Sequence, residues 1–75
     1  MKLLSQLQVG ESAKVLAVRG EGVVRRRLFD MGITPGAEVY LRKKAPLGDP
    51  IEISLRGYEL TLRKAEAAQV EIEYC

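Results

Sequence analysis

Glu52, Glu59, Glu71 and Glu73 each stand between two apolar residues, and two basic triplets, Arg25-Arg26-Arg27 and Arg42-Lys43-Lys44, supply the opposite charge. Carboxylates at such positions can move protons or hold a cation, and clustered cations can grip phosphate. Catalysis lacks its other parts. The 75 residues include no histidine, Cys75 has no base beside it, and Ser5, Ser12 and Ser54 lie in no nucleophile setting. Carboxylates that alternate with core residues along a strand face water, without the burial or like-charge crowding that makes a general acid. The chain reads as a non-enzyme with no cofactor. A transition metal wants imidazole, thiolate or clustered carboxylates. The four glutamates are instead spread over outward strand positions, where pairing with Arg42, Arg56 or Arg63 accounts for them. No metal site is expected.

The basic triplets invite a nucleic-acid reading, which the aromatic residues do not support. Stacking single-stranded bases needs exposed rings. Phe29 falls on a predicted helix, and Tyr58 and Tyr74 fall at predicted core positions, leaving Tyr40. Arg25, Arg26 and Arg27 are consecutive on that helix and point about 100° apart, so they form no single stripe. Part of their charge can pair with Asp30. A groove for proline-rich peptides needs an aromatic lining, and the chain has no tryptophan.

What remains is recognition of a protein partner. Ala45-Pro46-Leu47-Gly48-Asp49-Pro50 puts two prolines and a glycine into six residues, fixing φ and permitting unusual turns. Stiff loops on a rigid scaffold are where function concentrates. Leu47 at the tip either caps the core or enters a partner. Asp49 either bonds nearby backbone amides or presents its carboxylate to a partner's arginine. Arg25 and Arg26 are expected to be exposed on the helix, beside Leu28 and Met31 as its core anchors. The partner-binding candidates are therefore Arg25, Arg26, Leu28, Leu47 and Asp49.

These residues need elements to carry them. Leu3, Leu4 and Leu7 suit one helical turn, and Val9 to Ser12 suit a reversal. Ala13 to Val18 reads as a first strand that buries Val15, Leu16 and Val18. From Val23 the period changes, and Val24, Leu28 and Met31 form a helical stripe. Gly32 is placed to end that helix in the left-handed conformation, and Pro35-Gly36 suits the centre of a type II turn. Ala37 to Lys44 reads as a strand with Ala37, Val39 and Leu41 on one face. Ile51, Ile53 and Leu55, then Tyr58, Leu60 and Leu62, alternate on either side of Arg56-Gly57, a hairpin. Lys64 to Ala68 makes a helical turn, and Val70, Ile72 and Tyr74 alternate in a last strand. About five strands with one short helix inserted after the first long strand cannot bury two faces at this size. Curling the sheet into a small barrel buries one.

A chain of 75 residues makes one domain, residues 1–75, with a small core. Its formal charge of +2 is mild. Its single cysteine rules out an internal disulfide and fits a reducing compartment. No apolar run approaches the ~20 residues that cross a bilayer, and the first ten residues lack the basic start and apolar core of a secretory signal. The expectation is a cytoplasmic protein with no membrane insertion of its own.

Three blocks carry a family resemblance. Arg27-Leu28-Phe29-Asp30-Met31-Gly32-Ile33-Thr34-Pro35-Gly36, then Ala45-Pro46-Leu47-Gly48-Asp49-Pro50, then Leu62-Arg63-Lys64-Ala65-Glu66-Ala67 follow one another in order and spacing. Together they resemble the ferrous iron transport protein A (FeoA) family, over nearly the whole chain. The resemblance implies a mainly β, small SH3-like barrel. It implies a non-catalytic accessory whose partner is FeoB, the inner-membrane ferrous iron transporter with a cytosolic G-protein domain. It would be peripheral at the membrane through that partner, with no nucleic acid involved. Similar barrels form the last domain of iron-dependent repressors, so a free-standing relative of that domain, regulating transcription through protein contacts, is the alternative. A third class, a metal-binding carrier, would require stoichiometric retention of iron(II).

Overall fold

A computed structural model describes residues 2–75. Six antiparallel strands lie in the order β1-β6-β2-β3-β4-β5. They are β1 (Lys2–Leu3), β2 (Ser12–Val18), β3 (Glu38–Lys44), β4 (Ile51–Leu55), β5 (Tyr58–Leu62) and β6 (Val70–Tyr74). Two helices interrupt them, α1 (Gly22–Asp30) after β2 and the single turn α2 (Lys64–Ala67) before β6, and a 3₁₀ turn spans Leu4–Gln6. Register shifts on β2 and β3 bend the sheet around a single core, as a small SH3-like barrel measuring 29 × 26 × 24 Å.

Alternation decides what enters that core. Val39 and Leu41 from β3, Ile51, Ile53 and Leu55 from β4, and Val70 and Ile72 from β6 are buried, while their neighbours face out. On β2 the register shifts between Val15 and Ala17. That bulge brings Val15 and Val18, three residues apart, onto the same inner face and turns Leu16 outward, 48% exposed. The expectation that Leu16 is buried is corrected on this point. β1 is a further difference: Lys2 and Leu3 pair with Ile72 and Glu71 of β6, giving six strands rather than about five.

The turns follow their residue chemistry. At the end of α1 the Gly32 N–H donates to Phe29 O and the Ile33 N–H to Leu28 O, with Gly32 at φ +95°. This is a complete Schellman ending, with Leu28 and Ile33 both fully buried against it. A Cβ on Gly32 would also stand 2.8 Å from the Tyr58 hydroxyl, which donates to Met31 O at 3.0 Å. Tyr58 thus latches the helix end from outside and stays 46% exposed, and Tyr74 at the rim is 42% exposed. Both had been expected in the core; each puts its polar end at the water boundary. The Ala37 N–H closes on Thr34 O around Pro35-Gly36, the type II turn expected there. Val24, on the helical stripe, is 38% exposed, so Leu28 is the one fully buried side chain of α1.

Candidate functional site

The short helix α2 has little stability of its own, since a four-residue helix cannot offset its nucleation cost. It is held by two carboxylates from different directions. Glu66, in its first turn and nearly buried, accepts the Arg63 N–H at 2.9 Å through Oε1. Asp49, from the proline loop, accepts the Lys64 N–H at 3.0 Å through Oδ1. Two backbone donors that the helix leaves open at its start are thereby satisfied. Glu66 also forms an ion pair with Arg27 of α1 through Oε2.

The three sequence blocks therefore meet at one turn of helix. Arg27 belongs to the first block, Asp49 to the second and Glu66 to the third, and α2 ties the helix α1 to the proline loop. A depression of about 260 Å³ lined by Arg27, Pro50, Thr61, Arg63 and Glu66 puts α1 and the loop on the same side of the domain. A larger groove of about 600 Å³ runs beside it between α1 and α2, past Gly20, Glu21, Val24, Ala65, Glu66 and Gln69.

The loop itself is closed twice. The Gly48 N–H donates to Ala45 O at 2.7 Å, a turn with Pro46 and Leu47 at its centre. The Ala45 N–H donates to Pro50 O at 3.0 Å across the base. Leu47 is left at the tip, 94% exposed, with no core to cap.

Each candidate residue has a definite place. The Arg25 guanidinium lies over the Phe29 ring, 4.5 Å from its centroid, and points its Nε at Val18 O. Arg26 is exposed and, among the described residues, has no ion-pair partner. Leu28 is fully buried, so it anchors α1 from within and cannot touch a partner directly, a correction to its place among the binding candidates. Asp49 is exposed, but one oxygen is committed to the backbone of α2, which makes it first a fastener of the loop. Arg27 pairs with Glu66 rather than leaving the triplet's charge to Asp30. Arg42 bridges Glu52 and Glu59 across the sheet, as expected, whereas Glu71 pairs with Arg19. Arg27 and Glu66 are the site residues that pattern reading missed. The signal was present: a glutamate three residues after Arg63 is the spacing of a capping box.

Among the described residues no three Cys, Asp or Glu side chains approach closely enough to hold a metal ion. No helix among the described residues is long and apolar enough to cross a membrane.

Comparison with known proteins gives the family and the fold. The Fe(2+) transport protein A/Fe(2+) transporter FeoB fusion protein of Porphyromonas gingivalis is 37% identical over 70 residues, an alignment that takes in 93% of this chain and 8% of the fusion protein. The chain thus spans less than a tenth of that curated relative. The FeoA-like protein of Clostridium acetobutylicum is 43% identical with a TM-score of 0.88, over 99% of this chain and 90% of its own. Stenotrophomonas maltophilia FeoA, an SH3-domain protein solved in complex with zinc, is 30% identical with a TM-score of 0.86, over 97% of this chain and 91% of its own. A manganese-dependent transcriptional repressor reaches a TM-score of 0.91 at 13% identity, over 99% of this chain and 36% of the repressor, a likeness of fold alone. The FeoA domain pattern matches residues 2–74, taking in all three blocks that converge on α2, and the chain belongs to the FeoA domain family.

Proposed function

We propose that this protein is a non-catalytic, cytoplasmic accessory of ferrous iron uptake that docks on the cytosolic side of a FeoB-class transporter. Leu47 enters the partner, while Arg26 and the stacked Arg25 on α1 extend the contact. The observation that carries this reading is Leu47, held 94% exposed at the tip of a doubly closed loop. A side chain of this size contributes about 1.5–3 kcal/mol once it leaves water. Family membership supports the link to iron uptake. So does the natural joining of a similar domain to a FeoB-type transporter in one polypeptide, which places the two at high effective concentration. The accessory acts by favouring one nucleotide state of the transporter over another, since a binder with equal affinity for both shifts nothing. The repressor likeness is one of fold and lends no weight to a regulatory role.

The test is co-elution and calorimetry of the purified chain with intact transporter, with GDP and with a non-hydrolysable GTP analogue. Leu47→Ala should weaken binding by roughly 10- to 100-fold, and Arg26→Glu should weaken it less. Absence of binding in every nucleotide state would refute the accessory role.

A further inference from the structure

The charge around Leu47 says what kind of surface receives it. Lys43 and Lys44 end β3 immediately before the loop, both exposed, and line a depression with Ala45 and Pro50. Arg63 lines the neighbouring depression, again beside Pro50, and Lys64 is drawn to the loop by the bond from its N–H to Asp49. Both are exposed. Among the described residues none of these four cations has an ion-pair partner; Lys2, Lys14, Arg25, Arg26 and Arg56 are likewise unpaired, and Arg19, Arg27 and Arg42 are paired. Neighbouring carboxylates are already engaged: Asp49 by the Lys64 amide, Glu66 by the Arg63 amide and Arg27, and Glu52 by Arg42. The four cations outnumber these three carboxylates, of which Glu52 and Glu66 are already paired with Arg42 and Arg27. A local excess of unpaired positive charge thus flanks Leu47, the most exposed large apolar side chain among the described residues.

We infer that the partner site is an apolar pocket with a rim of carboxylates, and that Lys43, Lys44, Arg63 and Lys64 form a collar that steers Leu47 into it. The inference rests on the docking role proposed for Leu47 and adds to it the chemistry of the receiving surface. Collar and tip act on different steps. Rim charges speed encounter and make it sensitive to salt, while a buried apolar anchor governs dissociation. An anionic lipid surface would also attract the collar. A protein pocket is favoured because the tip offers a single leucine rather than the broad apolar face that holds a protein in a bilayer interface.

The experiment is association and dissociation kinetics on transporter held in neutral detergent, from about 0.1 M to about 1 M salt, which shortens the screening length from about 10 Å to about 3 Å. The paired substitution Lys43→Glu/Lys44→Glu should slow association at low salt by at least about tenfold, flatten its salt dependence, and leave dissociation nearly unchanged. Leu47→Ala should do the reverse, and Lys14→Glu, on β2 away from the loop, should do neither. Association and salt slope unaltered in the paired variant would overturn the collar while leaving the docking role intact. Wild-type protein that binds at no salt concentration would overturn both. Loss of binding to anionic vesicles in the paired variant, with transporter kinetics unchanged, would overturn the inference in favour of a membrane surface.

Discussion

Replacing Glu66 by alanine removes two acceptors in one step. Without Oε1 the Arg63 N–H loses its partner at the start of α2, and without Oε2 Arg27 loses its counter-ion. Loss of a bond that caps a helix start costs about 0.5–2 kcal/mol. The ion pair deserves a smaller figure, because the Arg27 side chain is 56% exposed and water competes for it; such pairs contribute about 0–1 kcal/mol. Together the substitution should cost about 2 kcal/mol. A domain of this size has a total stability on the order of 4–11 kcal/mol, and each kcal/mol shifts the melting temperature by about 4–8 °C. Glu66→Ala should therefore melt roughly 8–16 °C below the parent. Glu66→Gln keeps a neutral acceptor in place of Oε1, and Arg27→Ala removes the ion pair alone, so each should cost about 1 kcal/mol or less. Urea denaturation followed by circular dichroism, with a double-mutant cycle at Arg27 and Glu66, gives all the terms. Hydrogen exchange at the Arg63 and Lys64 amides should quicken in Glu66→Ala. A variant within about 2 °C of the parent, or a glutamine variant as damaged as the alanine one, would refute the assignment of α2 as the joint between helix and loop.

Other substitutions separate conformation from packing and folding from docking. Gly32→Ala meets both a positive φ and the Tyr58 hydroxyl 2.8 Å from the new Cβ, whereas Gly48→Ala at φ +82° has open space. The first should cost at least about 1–3 kcal/mol more than the second, measured as the difference in denaturation midpoints. Arg56 holds φ +52° in the two-residue turn between β4 and β5. Arg56→Asn, which tolerates that conformation, should raise stability by about 0.5–1 kcal/mol in the same assay. Leu47→Asp should alter stability by less than about 0.5 kcal/mol, since nothing packs on the tip, while transporter binding is lost.

The strands from β3 to β5 were legible because alternation, a Pro-Gly turn and a two-residue reversal are all local signals. The Schellman ending of α1 was equally legible from Gly32 and Pro35. The bulge in β2 was not, since nothing in Val15-Leu16-Ala17-Val18 says which residue is the extra one; partner strands decide that. β1 was hidden for a similar reason, being two residues long and defined only by Ile72 and Glu71 almost seventy positions away. Tyr58 matched the apolar period of β5, and only the carbonyl of Met31 brings it to the outside. The loop was readable as stiff, but not that Leu47 lacks a core to cover. Glu66 looked like one more solvated charge until α1 and the proline loop were both placed against it.

The antiparallel pairing of β1 with β6 sets Lys2 beside Ile72, so the start of β1 and the end of β6 lie at the same corner of the barrel. The order of elements along the chain is therefore separable from their arrangement in space. A short bridge from the end of β6 to the start of β1 would preserve every strand pairing, and the chain could be opened afresh at Arg56-Gly57 without disturbing the joint at α2. Opening it between Leu47 and Gly48 would instead yield a barrel with the same core but a severed proline loop. Circular permutation thus offers a way to divide the scaffold from its proline loop without changing a single side chain.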